Sequence, residues 1–174
     1  MKKNVLLLIL ACLFAFSSGI KAQSRIAIGT WVIMADDTRK SVDKIAVGDV
    51  VLSYDYTKKV YEKKKVTSID KIMYSRMVRL VLENKRQILT SSDLPFWGEE
   101  GWVSTSPELS AENPLYKDIK EAKAGYYLYY YDVLSTSSDR IAFVEGIMEP
   151  MMAYAIQIEG GGAIIANSFI VGTN

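Results

Sequence analysis

The chain has 174 residues, 49% apolar and 24% charged, with 21 basic residues against 20 acidic ones and a net charge of +1. It contains no histidine and one cysteine, Cys12. Imidazole acid–base chemistry is therefore absent, and so are the usual zinc, haem and thiol-nucleophile sites downstream of that cysteine. The charge balance gives no electrostatic footprint for nucleic acid, and no nucleic-acid partner is expected.

Lys2 and Lys3 precede an apolar run from Val5 to Phe16 and then the small residues Ser17, Ser18 and Gly19. This order of charged, apolar and small residues reads as a secretory signal peptide over 1–23. The run falls short of the roughly 20 apolar residues a membrane span needs, and no other segment is as long, so no transmembrane segment is expected in the mature chain. Cleavage after Ala22 or Gln23 leaves one domain, 24–174, secreted to the periplasm or beyond. Loss of Lys2, Lys3 and Lys21 leaves 18 basic residues against 20 acidic ones. A lipoprotein box at Leu10-Ala11-Cys12, with Cys12 lipidated, is the alternative; Leu13, Phe14 and Phe16 continue the apolar run past it. The mature chain has no thiol for a disulfide and must rely on an apolar core. No EF-hand loop is present, and no cofactor or metal is expected.

In chain order, Ile26 to Met34, Val50 to Tyr56, Val78 to Leu82, Tyr126 to Val133, Ile141 to Val144, Tyr154 to Ile158 and Ile164 to Val171 read as short strands. Each is rich in β-branched and aromatic residues and bounded by turn chemistry. Lys58-Lys59 and Lys63-Lys64-Lys65 flank Val60-Tyr61-Glu62, which suggests a solvated hairpin with a charged edge. Trp97 and Trp102, joined by Gly98-Glu99-Glu100-Gly101, suggest a hairpin whose indoles plug the core, with a ligand platform as the minority reading. Leu115 to Lys123, closed by Gly125, predicts either a helix of two to three turns or a loop with one helical turn. In the run Tyr126 to Tyr131, residues 127, 129 and 131 face one side of a strand, while 126 and 130 face the other with Leu128. One set belongs to the core; the other could stack on a glycan or a partner protein, which makes Tyr127, Tyr129, Tyr130, Trp97 and Trp102 the candidate binding residues. Met148-Glu149-Pro150-Met151-Met152 reads as a loop with soft apolar side chains.

An internal repeat organises these elements. Val42 to Asp55 aligns with Ile119 to Asp132, each copy carrying a glycine (Gly48, Gly125) seven residues before an aspartate that closes a Tyr-Asp pair. Further on, Leu80-Val81-Leu82-Glu83 matches Ile156-Gln157-Ile158-Glu159 one register apart, and each copy passes through a polar or glycine tip into a second strand. Two copies are too few for a solenoid and suggest two β-units about a pseudo-two-fold axis, each covering the other's apolar face.

Four blocks then resemble the Hedgehog/intein (Hint) family. Gly29-Thr30-Trp31-Val32-Ile33-Met34-Ala35-Asp36 followed by Ile45-Ala46-Val47-Gly48-Asp49-Val50-Val51-Leu52-Ser53-Tyr54-Asp55 is similar to the family's opening blocks. Ser92-Asp93-Leu94-Pro95-Phe96-Trp97 with Gly101-Trp102-Val103 resembles its T-x-D-H-P-F-W and G-W-V block. Ala166-Asn167-Ser168-Phe169-Ile170-Val171 resembles its closing A-N-G-x-x-V-H-N. The matches fall in order over essentially the whole mature chain. The resemblance implies an all-β, pseudo-two-fold Hint-like fold made of two similar hairpin-rich halves.

It also implies a chemistry, an acyl shift in which a Cys or Ser at the domain's first position attacks the preceding carbonyl. A block histidine protonates the departing amide nitrogen, and in inteins a terminal Asn cyclises with help from the His before it. Carried over by position, the nucleophile falls on Arg25, with Ser24 one residue off register. The block histidine falls on Leu94 and its Thr partner on Ser91, while the closing His-Asn pair falls on Gly172 and Thr173, with Asn174 one place late. Leucine cannot protonate a leaving nitrogen, and arginine is no nucleophile near neutral pH. With no expected cargo before Ser24 or after Asn174, the sequence suggests a catalytically silent Hint-like binding or structural module, with no catalytic residues. The rivals are residual self-processing by Ser24 or Ser91, and a generic secreted β-domain that binds through Tyr and Trp.

Overall fold

The computed structural model describes residues 24–133 and 135–173. The leader assigned to 1–23 and the terminal Asn174 lie outside them. The first half of the described chain holds β1 (Ile26–Ala27), β2 (Trp31–Ile33), β3 (Arg39–Ser41), β4 (Val50–Asp55), β5 (Val60–Tyr74), β6 (Met77–Leu82) and β7 (Gln87–Ser91). The hairpin of β8 (Phe96–Gly98) and β9 (Gly101–Ser104) follows, then the single helical turn α1 (Pro107–Ser110). The second half holds β10 (Lys120–Glu121), β11 (Tyr127–Asp132), β12 (Ser135–Ile147), β13 (Met151–Ile158), β14 (Ala163–Ala166) and β15 (Phe169–Gly172). The fold is all-β.

The repeat read from sequence is a repeat of hydrogen bonds. Gly48 donates to the Val66 carbonyl at 2.9 Å and Val66 returns a bond to the Asp49 carbonyl at 2.8 Å; Gly125 donates to Ile141 at 2.8 Å and Ile141 returns one to Tyr126 at 2.8 Å. Both glycines sit at positive φ, +95° and +89°, where an L side chain is strained. Each unit then sends a long strand into the other. β5 pairs first with β4 and then with β13, while β12 pairs first with β11 and then with β6. The register slips once in each crossing, passing over Thr67 in β5 and Ala142 in β12. A bulge bends the strand that carries it, and here it lies where each strand leaves its own unit. The exchange of β5 and β12 is what a pseudo-two-fold axis requires.

This equivalence gives a direct test. Nothing lies within 4 Å of a Cβ built at Gly48 or at Gly125, so alanine there costs only backbone strain, about 1–2 kcal/mol. Gly48→Ala and Gly125→Ala should lower the urea-unfolding free energy by amounts within about 0.5 kcal/mol of each other. A cost at only one of them would break the symmetry.

Two predicted strands are in fact pairs. Ile26 to Met34 is interrupted at Gly29, whose φ of +80° turns the chain between β1 and β2. Ile164 to Val171 is interrupted by Asn167 and Ser168, at φ of 46° and 74°, which form a two-residue hairpin turn between Ala166 and Phe169. The apolar residues on both sides of that turn hide it. Leu115 to Lys123 is the looped alternative: one 3₁₀ turn at Pro114–Tyr116, then the short β10. The sequence reading passes over the turn α1, although Ser106, Pro107 and Glu108 carry a recognisable helix-start signature.

The main core is centred on Leu80, Leu82, Ile88, Phe96, Leu128, Ile141 and Phe169, all 2% exposed or less. A second cluster is aromatic. Tyr54, Tyr131 and Ile170 are buried in it, and Tyr56, Tyr61, Trp97, Trp102 and Tyr129 pack against it half-buried. β11 therefore packs on both faces, with Leu128 and Tyr130 on the main core and Tyr129 and Tyr131 on the aromatic one, while Tyr127 at its start stays exposed.

Candidate functional site

Strand β1 leads the start of the domain into the body of the fold, between β7 (Ile26 opposite Thr90) and β13 (Ile26 opposite Tyr154). Ser91, the last residue of β7, is thereby set against Arg25. The Arg25 amide donates to Ser91 Oγ at 2.8 Å, and the Ser91 amide donates to the Arg25 carbonyl at 2.9 Å. The amide that Ser91 holds is the nitrogen an acyl shift onto position 25 would release. The Arg25 side chain is buried and turns away to β5, where Nη2 meets Asp70 Oδ2 at 2.6 Å.

Beyond Ser91 the chain turns through Ser92 and Asp93 into Leu94, which is 2% exposed. Leu94, Ser24, Gly172 and Thr173 line one small cavity with Ile26, Tyr154, Ile156, Ile164 and Val171. It encloses about 10 Å³, roughly the room one water needs. Of the five positions carried over from the resemblance, Leu94, Gly172 and Thr173 line this cavity, and the bonded pair Arg25 and Ser91 adjoins it through Ser24, Ile26 and the Leu94 amide, which donates to the Ser91 carbonyl at 3.2 Å. Ser24 joins them: its hydroxyl donates to the Asp93 carbonyl at 3.2 Å and lies 3.4 Å from Asp93 Oδ2.

One residue that sequence reasoning passed over closes this site. Tyr116, 5% exposed, donates its hydroxyl to the Thr173 carbonyl at 3.0 Å. Its ring stacks edge-on to Trp102 at 5.2 Å. A Cβ built at Gly172 would fall against the Tyr116 hydroxyl, 2.8 Å from Cζ of that ring and 3.2 Å from Pro95 Cβ. The Gly172 amide donates to the Pro95 carbonyl at 2.9 Å, which fixes the backbone there. Burial, with a smaller contribution from Tyr56, pushes the Tyr116 phenol well above its ordinary value, so it stays a neutral donor. The segment bearing Tyr116 is pinned over the site by Ser110, whose hydroxyl reaches the Asp93 carbonyl at 2.8 Å, and by Thr105, whose hydroxyl reaches the Ser92 carbonyl at 2.8 Å. No local sequence signal announces this, because Tyr116 and Gly172 meet only through the tertiary fold.

Ser91→Ala would leave the buried Arg25 amide without its acceptor. It should cost about 1–3 kcal/mol in urea unfolding. A loss under about 0.5 kcal/mol would mean that Ser91 does not hold that amide.

The aromatic candidates lie elsewhere. Trp97 and Trp102 stack on each other at 5.1 Å and on Tyr56, half-buried. Tyr129 is packed in the same cluster, and Tyr130 lies half-buried under the Arg86 guanidinium, 4.1 Å from its ring. Tyr127 is the exposed member of the set, at 40%, with Arg140 over its ring. Trp97, Trp102 and Tyr129 thus share one packed aromatic cluster, and Tyr130 packs on the main core.

The fold matches solved structures of inteins over nearly their whole length. The DnaB intein of Synechocystis sp. PCC 6803 aligns with a TM-score of 0.68 at 16% identity, over 87% of this chain and 99% of that one. The bacterial intein-like domain of Clostridium thermocellum aligns at 0.67 and 14%, over 88% and 100%. The gp41-1 intein aligns at 0.64 and 20%, over 88% and 100%. No protein-family profile matches the sequence, and none of the curated proteins does. The chain therefore has the Hint/intein fold that its four sequence blocks imply. Among the described residues no helix is long and apolar enough to cross a membrane.

Proposed function

We propose that the protein is an exported Hint-fold module that has lost self-processing and acts by binding. The observation that carries this reading is the cavity where the resemblance expects acyl transfer. Leu94, Ile26, Ile156, Ile164 and Val171 line it with the hydroxyl residues Ser24, Tyr154 and Thr173 but with no imidazole, thiol or carboxylate, and the Gly172 slot is filled by Tyr116. Losing one positioned acid–base group costs roughly 10²–10⁴ in rate, and here the block histidine, the closing histidine and the nucleophile are all replaced. Export rests on the sequence of residues 1–23, and the binding role on the retention of a closed, packed scaffold around a site without chemistry.

Intact-mass analysis of the purified mature protein, with and without hydroxylamine, tests the silent reading; a single unchanged mass is expected. Internal cleavage or a trapped ester would overturn it. The second reading, residual processing by Ser24, draws on the Ser24–Asp93 contact. A lone carboxylate is a weak base for a hydroxyl, and any cleavage lost in Ser24→Ala would identify that route.

A further inference from the structure

Strand β3 ends the pairing order of the sheet and, among the described residues, is bonded on one side only, to β2. The bonds flanking this pair run from Val42 to the Thr30 carbonyl and from Met34 to the Thr38 carbonyl. Hydrogen-bonded pairs alternate along an antiparallel ladder, so Lys40 is the residue bonded to β2. Arg39 turns both its N–H and its C=O to the open edge and Ser41 its N–H, while the Ser41 carbonyl is taken up as the cap of the 3₁₀ turn Val42–Lys44. Two hollows flank this edge. One of about 490 Å³ is lined by Met34, Asp36, Lys40, Val50 and Lys63. The other, of about 240 Å³, is lined by Trp31, Ile33, Gln87 and Asn167. Arg39 lines both.

The edge is cationic. Lys40 is taken up by Asp49 at 2.6 Å, and Asp36 bonds Thr38 at 2.6 Å and feels Lys63. Among the described residues Arg39 has no ion-pair partner. Cations on a short edge strand repel a second strand like itself, which leaves room for one of opposite charge. Trp31, directly across from Ser41, is half exposed and presents an indole beside the same edge.

We infer that the β3 edge is a docking site for an extended acidic segment of another polypeptide, added as a further strand. Its backbone pairs with the N–H and C=O of Arg39 and the N–H of Ser41. Its alternate side chains enter the two hollows, acidic groups meeting Arg39 and Lys63 and an apolar group meeting Trp31. Main-chain bonds supply affinity and the two hollows supply selection, as in other strand-addition sites. This names a partner class for the binding role proposed above and rests on that reading.

The probe is a fluorescein-labelled ten-residue peptide of alternating Val and Glu, titrated by anisotropy against its Val and Lys counterpart. Ser41 has φ −64° and ψ 140°, which proline adopts without strain. Ser41→Pro therefore removes the outward N–H while the fold, checked by near-UV circular dichroism, is kept. Ser41→Ala loses the hydroxyl bond to Asp43 but keeps the N–H. The Glu peptide should bind and the Lys peptide should not, with affinity about tenfold weaker in Arg39→Glu and in Ser41→Pro and unchanged in Ser41→Ala. Equal binding of both peptides, binding of neither, or sensitivity to Arg39→Glu without sensitivity to Ser41→Pro, as a non-peptide polyanion would show, overturns strand addition. None of these alters the mass spectrum that tests silence, so the two failures are separable.

Discussion

Gly172→His is expected to destabilise the protein by about 3 kcal/mol and to restore no chemistry. The position sits where the resemblance expects the closing histidine, yet a Cβ there would lie 2.8 Å from the Tyr116 ring carbon Cζ and 3.2 Å from Pro95. Neither neighbour can give way cheaply. Tyr116 is buried, held edge-on to Trp102 and bonded to Thr173, and the Gly172 backbone is tied to Pro95. Forcing extra atoms into a packed core costs roughly 1–3 kcal/mol and sometimes more, so Gly172→Ala should cost about 2 and histidine more. Tyr116→Ala by itself removes a large buried side chain and should cost about 3–5 kcal/mol. In the double variant the histidine enters space already vacated, so the two losses should fall short of additive by about 2 kcal/mol. Urea unfolding of the four proteins measures this coupling. Additive losses would mean that Tyr116 does not occupy the histidine's place.

That contact also marks where sequence reasoning ends. Gly48 and Gly125, each ahead of a strand closed by Tyr-Asp, exposed the two-unit architecture because a repeat is a local signal written twice. Arg25, Ser91 and Leu94 could be named because each sits inside or beside a block with fixed spacing. Tyr116 could not, since it lies in an irregular excursion and its meaning depends on a residue 56 positions away. The tyrosine run was legible in its alternation alone. Alternation says which residues share a face, but not that a second aromatic cluster covers the face left over, with Tyr54 and Tyr61 waiting there for Tyr131.

The other half of the site should behave in the opposite way: Arg25→Cys with Leu94→His is expected to cleave before residue 25. Ser91 already bonds the amide nitrogen of residue 25 at 2.8 Å, so the group that would leave is already held. Leu94 lines the cavity beside Ser24, and an imidazole there replaces a side chain of similar size. Removing Arg25 releases Asp70, which is half exposed and rehydrates at little cost. With an upstream tag attached, the introduced thiolate would attack the carbonyl carbon of residue 24. The bond to nitrogen breaks, the introduced imidazolium protonates the released amine, and hydroxylamine cleaves the thioester to leave an acyl hydroxamate on the tag. Each single variant lacks either nucleophile or acid and should be slower by at least about 10². Intact mass after hydroxylamine gives the answer. A folded double variant that stays whole would show that position 94 does not reach the amide, and that more than the lost side chains separates this scaffold from acyl transfer.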